Sequence, residues 1–176
     1  MRTIDDLKRW KKYNFIMTPV QDNKHPETPN GNWKYDWTDL ELLKAKRLGV
    51  FHEPSKVFTI DFDDDTYTAH KYLQLLPDTF TDGRMLGSQK IMTHRTYKVN
   101  GSGAPTINGS AKYPKSISKK KGLILEVLTG KQTIFTGGDR FIALDVPPAD
   151  VDIKSLEKKL KLICFFTEVE QVWSSE

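Results

Sequence analysis

The chain reads as one mixed helix–strand domain, α/β or α+β, with strands dominating its middle. Three observations carry this reading. Apolar residues recur at helical spacing near both ends, as Ile4, Leu7 and Trp10 and again as Leu156, Leu160 and Ile163. Between them lie strand-like runs, β-branched in Val57–Ile60, partly alternating in Lys90–Val99 and nearly all apolar in Leu123–Leu128. A length of 176 residues suits a single domain with a core of ordinary size.

The elements follow in order. Thr3 is a candidate N-cap for a helix from Ile4 to Tyr13. Phe15-Ile16-Met17 predicts a short strand, and the Pro, Asn and Gly of Gln21 to Asn32 predict a loop. Thr38 to Arg47 predicts a second helix, capped by Thr38, with Leu40 and Leu43 available for burial. Gly49-Val50-Phe51 and Val57–Asp61 predict strands, the latter bounded by Pro54-Ser55 and the aspartates that follow. A helix is expected from Thr66 to Leu76, closed by Pro77, and then a strand over Lys90–Val99. Gly101 to Lys121, rich in Gly, Ser, Pro, Asn and Lys, predicts a long loop. Leu123–Leu128, Thr133–Phe135 and Phe141–Val146 predict three more strands. A terminal helix over Asp152 to Phe166 would be capped by Asp152.

Composition narrows the setting. No run approaches the roughly 18 apolar residues of a membrane span. The first residues carry no apolar signal-peptide core, so a cytoplasmic protein is expected. The single cysteine, Cys164, excludes an internal disulfide and a multi-cysteine zinc module, and its apolar context predicts a core position. Net charge is +4, unevenly spread: Arg84 to Lys131 holds ten Lys or Arg and one acid, Glu126. A basic segment beside an acidic cluster suits a polyanion held next to a metal.

The chemistry concentrates at the end of the Val57 run. Asp61 and Asp63 stand two apart, so on a strand both carboxylates face the same way. Like charges so close repel, and a divalent cation between them keeps both ionised. Asp64 and Asp65 sit where helix caps and first-turn acids belong. The glycine and distant Glu of an EF-hand loop are missing. Glu126 interrupts an apolar strand, where a charge needs a partner or a metal, and would complete a carboxylate set. In Ile91 to Lys98, period two places His94, Thr96 and Lys98 on one face and Arg95 and Tyr97 on the other. A histidine with basic neighbours suits phosphate oxygens; His25, His52 and His70 have no comparable context.

The order of these motifs resembles the archaeo-eukaryotic primase superfamily, in particular the prim-pol domains of plasmid and phage replication proteins. Ile60-Asp61-Phe62-Asp63 is similar to its hDhD/E motif, Met92-Thr93-His94 to its sxH motif and Leu125-Glu126 to its hD/E strand. Upstream, Phe15 to Pro19, Lys24-His25-Pro26, Trp33 or Trp37, and Gly49-Val50 follow the family's order; downstream, Gly130 to Phe135 resembles its turn and strand. The resemblance covers about Asn14 to Phe141.

It implies an α+β primase catalytic core, an RRM-like mixed sheet with flanking helices, over one compact domain spanning residues 1–176. The resemblance also allows these residues to be the N-terminal core of a longer replication protein. Asp61, Asp63 and Glu126 would hold two Mg²⁺ or Mn²⁺ ions, and His94 would contact the phosphates of the incoming NTP or dNTP. Arg95, Lys98, Lys131 and Gln132 are further nucleotide-binding candidates, and Lys24, Trp33 and Trp37 are candidates for a single-stranded DNA template. The implied activity is DNA primase and polymerase nucleotidyl transfer. A metal-dependent nuclease and a non-catalytic single-stranded nucleic-acid-binding module are the alternatives. No P-loop is present, so a helicase or replication partner would act from a longer chain or in trans.

Overall fold

The computed structural model describes residues 2–28, 30–62, 68–101, 103–104, 112–113, 125–130 and 132–173. Asp63, Asp64, Asp65 and Lys131 lie outside these residues, as does most of the expected Gly101–Lys121 loop. The elements are α1 (Ile4–Lys12), β1 (Met17–Val20), α2 (Asp39–Lys44), β2 (Arg47–Phe51), α3 (His52–Ser55), β3 (Val57–Phe62), a 3₁₀ helix (Thr68–Leu75), β4 (Phe80–Leu86), β5 (Gln89–Lys98), β6 (Lys112–Tyr113), β7 (Leu125–Leu128), β8 (Gln132–Gly137), β9 (Arg140–Leu144) and α4 (Ile153–Trp173). No helix among the described residues is long and apolar enough to cross a membrane.

Local chemistry explains the helix starts. Thr3 and Thr38 each accept from the backbone of the third helical residue, Asp6 or Glu41, whose carboxylate bonds back to the cap. Asp152 caps α4 by accepting from Ser155 N at 2.7 Å.

Among the described residues the strands form one sheet in the order β1-β2-β8-β9-β4-β5-β3-β7-β6. Every strand-to-strand ladder among the described residues is antiparallel, so the mixed sheet expected from the resemblance is corrected to an antiparallel one. The sheet curls: His52 bonds both Thr59 on β3 and Thr133 on β8, strands four places apart in that order. Two cores result. On the outer face Phe58, Ile60 and Phe62 of β3 pack with Tyr97 and with Leu156, Leu160 and Ile163 of α4. Cys164 is buried in the same cluster, as its apolar context predicts. Inside the curl, Val57 and Phe80 meet Trp10, Phe15 and Phe135.

Several boundaries differ from expectation. The first strand begins at Met17 rather than Phe15, because Phe15 is a buried wedge against Phe80 and Phe135, with ring centroids 5.0 and 5.7 Å away. The second helix stops at Lys44, and Arg47 opens β2. Leu42 is the buried leucine of that helix, while Leu40 is 61% exposed. The strand β4 has no counterpart in the sequence reading. Asp82 and Gly83 are poor strand formers, yet the neighbours β5 and β9 impose the conformation. Gly83 is required there: a Cβ would lie 2.0 Å from the Ile91 carbonyl oxygen. Part of the expected long loop pairs as β6, with Lys112 opposite Glu126.

Candidate active site

The site grows from the alternation along β3. Phe58, Ile60 and Phe62 take the outer core, so Val57, Thr59 and Asp61 take the inner face. That face passes from buried apolar to hydroxyl to carboxylate within one strand.

Register then assembles one row across four strands. Asp61 pairs with His94 on β5 and with Glu126 on β7. His94 in turn pairs with Asp82 on β4. Directly opposed residues in an antiparallel sheet share a face, so Asp82, His94, Asp61 and Glu126 form a continuous row of charged side chains. Register shifts on both sides of β4 fall at Asp82, where bulges re-aim the strand beside the row.

His94 is the centre of that row and is 3% exposed. Its Nδ1 lies 2.9 Å from Asp82 Oδ1 and its Nε2 3.3 Å from Asp61 Oδ1. Burial disfavours its charge, but Asp82 and Asp61 outweigh burial and raise the pKa to about 9, so the ring is an imidazolium donating to both. Arg140 on β9 adds a second cation. Its Nη1 donates to Thr93 Oγ1 at 2.9 Å and lies 3.5 Å from Asp82 Oδ1. The 3.2 Å approach of Arg140 Nη1 to His94 Nδ1 brings two donors to one carboxylate oxygen.

The two flanking carboxyls respond in opposite directions. Burial pushes Asp61 up, but His94, Arg140 and Lys24 prevail and hold it below the ordinary carboxylate range. Asp82 is 0% exposed, and burial raises its carboxyl above that range despite His94 and Arg140. Its Oδ2 is buried with no hydrogen-bond partner among the described residues. Asp61 and Glu126 are half-buried, whereas Asp82 is fully enclosed.

The expected site residues divide accordingly. Asp61, His94 and Glu126 are brought together, and the charge of Lys24 reaches Asp61. Asp63 and Lys131 lie outside the described residues. Arg95 faces the outer core, where its Nη1 donates to the Pro77 carbonyl at 3.2 Å, so it is removed from the nucleotide-facing set. Lys98 shares the His94 face but pairs with Val57, at the far end of β5 from Asp61. Gln132 turns toward β2, and its buried Oε1 takes the space that a Cβ on Gly49 would need, 2.2 Å away. Trp33 packs edge-on against Phe51, and Trp37 packs against the inner core.

Sequence reasoning missed Asp82 and Arg140. The signal for Asp82 was a carboxylate directly after the strand formers Phe80 and Thr81; Arg140 opens an apolar run and offers no comparable sign. It also missed His52, which is 1% exposed. Its Nδ1 donates to the Gly130 carbonyl at 2.9 Å, and its Nε2 accepts from Thr133 Oγ1 at 2.8 Å.

Carboxylate oxygens of Asp61 and Glu126 on opposed strand positions are the donor type that Mg²⁺ or Mn²⁺ takes. Among the described residues no group of three or more His, Cys, Asp or Glu is placed to hold a metal; Asp63, the third expected carboxylate, is not among them. No family model matches the chain, and no curated protein does.

Proposed function

We propose that this chain is a template-directed nucleotidyltransferase of the archaeo-eukaryotic primase type, acting on single-stranded DNA with NTP or dNTP. The observation that carries the reading is the register of β3: Asp61 stands opposite His94 on one side and Glu126 on the other. Three short motifs, separated by tens of residues in the chain, fall on one row of one face. The strand order β4-β5-β3-β7 supports the same reading, since it places the first strand of an RRM-like unit between the third and the fourth.

Asp61 and Glu126, with Asp63, would hold the divalent cations. When bound, these would activate a 3′-hydroxyl and neutralise the departing pyrophosphate. The remaining work belongs to the chain's own side chains. His94 fixes Asp61 through Nε2 and keeps it ionised. Asp82 holds His94 from behind, through Nδ1. His94, Arg140 and Lys24 set positive charge beside these carboxylates, and positioning and charge neutralisation carry most of such catalysis.

The test is the purified chain with Mn²⁺, single-stranded template and radiolabelled nucleotides. New oligonucleotides are expected from the wild type, and none from Asp61→Ala with Asp63→Ala, which retains template binding. Template degradation would replace this reading with a nuclease. Template retention without turnover would replace it with a binding module. Equal synthesis by the double variant would overturn the mechanism.

A further inference from the structure

A concave site lies at the end of β3 and β5 opposite the charged row. It is a cleft of about 630 Å³ whose lining includes Lys11, Tyr13, Tyr35, Trp37, Lys56 and Lys98. The volume suits a ligand unit of nucleotide size. Val57 pairs with Lys98 where Asp61 pairs with His94, so four residues of strand, roughly 13 Å, separate this cleft from the charged row.

Its chemistry differs from that row in sign. Among the described residues no Asp or Glu lines it. Lys11 is engaged by Asp39, but among the described residues Lys56 and Lys98 enter no ion pair, and both are exposed. They are held near each other by the backbone, since Val99 N donates to the Lys56 carbonyl at 2.8 Å. The aromatic side is equally fixed. Tyr35 is 58% exposed, yet its ring lies 4.5 Å from that of buried Phe51. Trp37 is pinned by its indole N–H to the Lys34 carbonyl at 2.9 Å, and the Lys34 ammonium sits 4.5 Å from its ring. An exposed aromatic braced against a buried ring, lining one cleft with lysines that enter no ion pair among the described residues, is the arrangement that stacks bases and tracks phosphates.

We infer that this cleft binds single-stranded nucleic acid, with unpaired bases stacking on Tyr35 and phosphates meeting Lys56 and Lys98. Base faces are free to stack only in single strands, which favours that partner over duplex. Binding here needs neither Asp61 nor a metal, so the inference stands or falls apart from the proposed chemistry.

The experiment is fluorescence anisotropy of the whole chain with labelled oligothymidylate in EDTA, over a salt series. Lys56→Glu with Lys98→Glu is expected to weaken binding by about tenfold or more and to flatten its salt dependence. Tyr35→Ala should weaken binding about tenfold, and Asp61→Ala should leave it unchanged. Photocrosslinking of bromodeoxyuridine oligonucleotide to the wild type should label Tyr35, a readout that needs no variant to fold. Wild-type binding by the cleft variants, labelling confined to other regions, or equally good displacement by poly-glutamate would overturn the inference.

Discussion

Two buried imidazoles sit against the inner face of β3, two residues apart along it, and one is charged while the other is neutral. His94 meets Asp61 and lies between two carboxylates; its pKa rises to about 9. His52 meets Thr59 among hydroxyls and a carbonyl. Burial lowers its pKa to about 4, against the Gly130 hydrogen bond and aided by the His94 charge, so it is neutral. Burial alone drives a histidine toward neutrality, and only adjacent anions reverse it. The hydroxyl network therefore works as a rigid neutral floor. The row beside it is the place where the fold concentrates charge.

The largest test of that contrast is Asp82→Ala. It leaves His94 and Arg140 without the buried anion they share, and should cost about 3–5 kcal/mol in urea denaturation. A cost below about 1 kcal/mol would put Asp82 with ordinary surface carboxylates and dissolve the distinction.

The pH dependence of stability separates the two histidines by sign. His52 titrates near 6.5 when unfolded and about 4 when folded, so the unfolded chain binds more protons between those values. Its contribution is lost as pH falls through that window, by roughly 3 kcal/mol. His94 runs the other way: its folded pKa is about 9, so its contribution is present below pH 6.5 and is lost as pH rises toward 9. Replacing His52 by Gln should flatten the acid limb and leave the alkaline limb in place. A wild-type acid limb in that variant would show that other groups set it.

The smallest effect belongs to Thr59→Val. The hydroxyl of Thr59 lies 3.0 Å from that of Thr96 and 3.3 Å from His52 Nε2, while Thr133 still satisfies the imidazole. Thermal or urea unfolding should register a loss of roughly 1 kcal/mol, the worth of one neutral hydrogen bond. A loss as large as that of Asp82→Ala would mean that the neutral floor matters as much as the charged row.

Much of this site was legible along the chain, for local reasons. Period two alone places Asp61 on the face opposite Phe58 and Ile60, and a carboxylate inside Leu125-Glu126-Val127 is conspicuous. Arg95 could be separated from His94 by the same alternation. Asp82 was hidden because an Asp-Gly pair reads as a turn, and a strand forms there only under the pull of β5 and β9. His52 was hidden because its environment is made by Thr59, Gly130 and Thr133, none of them adjacent in the chain.

Local sequence specifies the helix caps at Thr3, Thr38 and Asp152, the two-faced strand at Val57, and the candidacy of Asp61, His94 and Glu126. Those depend on short-range sterics, hydrogen bonding and the alternation of side chains. Strand pairing is what brings Asp61 to both His94 and Glu126, sets Asp82 behind the imidazole and adds Arg140 to them. All of this depends on register. A one-residue slip in β5 or β7 would turn His94 or Glu126 to the outer core, and the packing of both sheet faces excludes it.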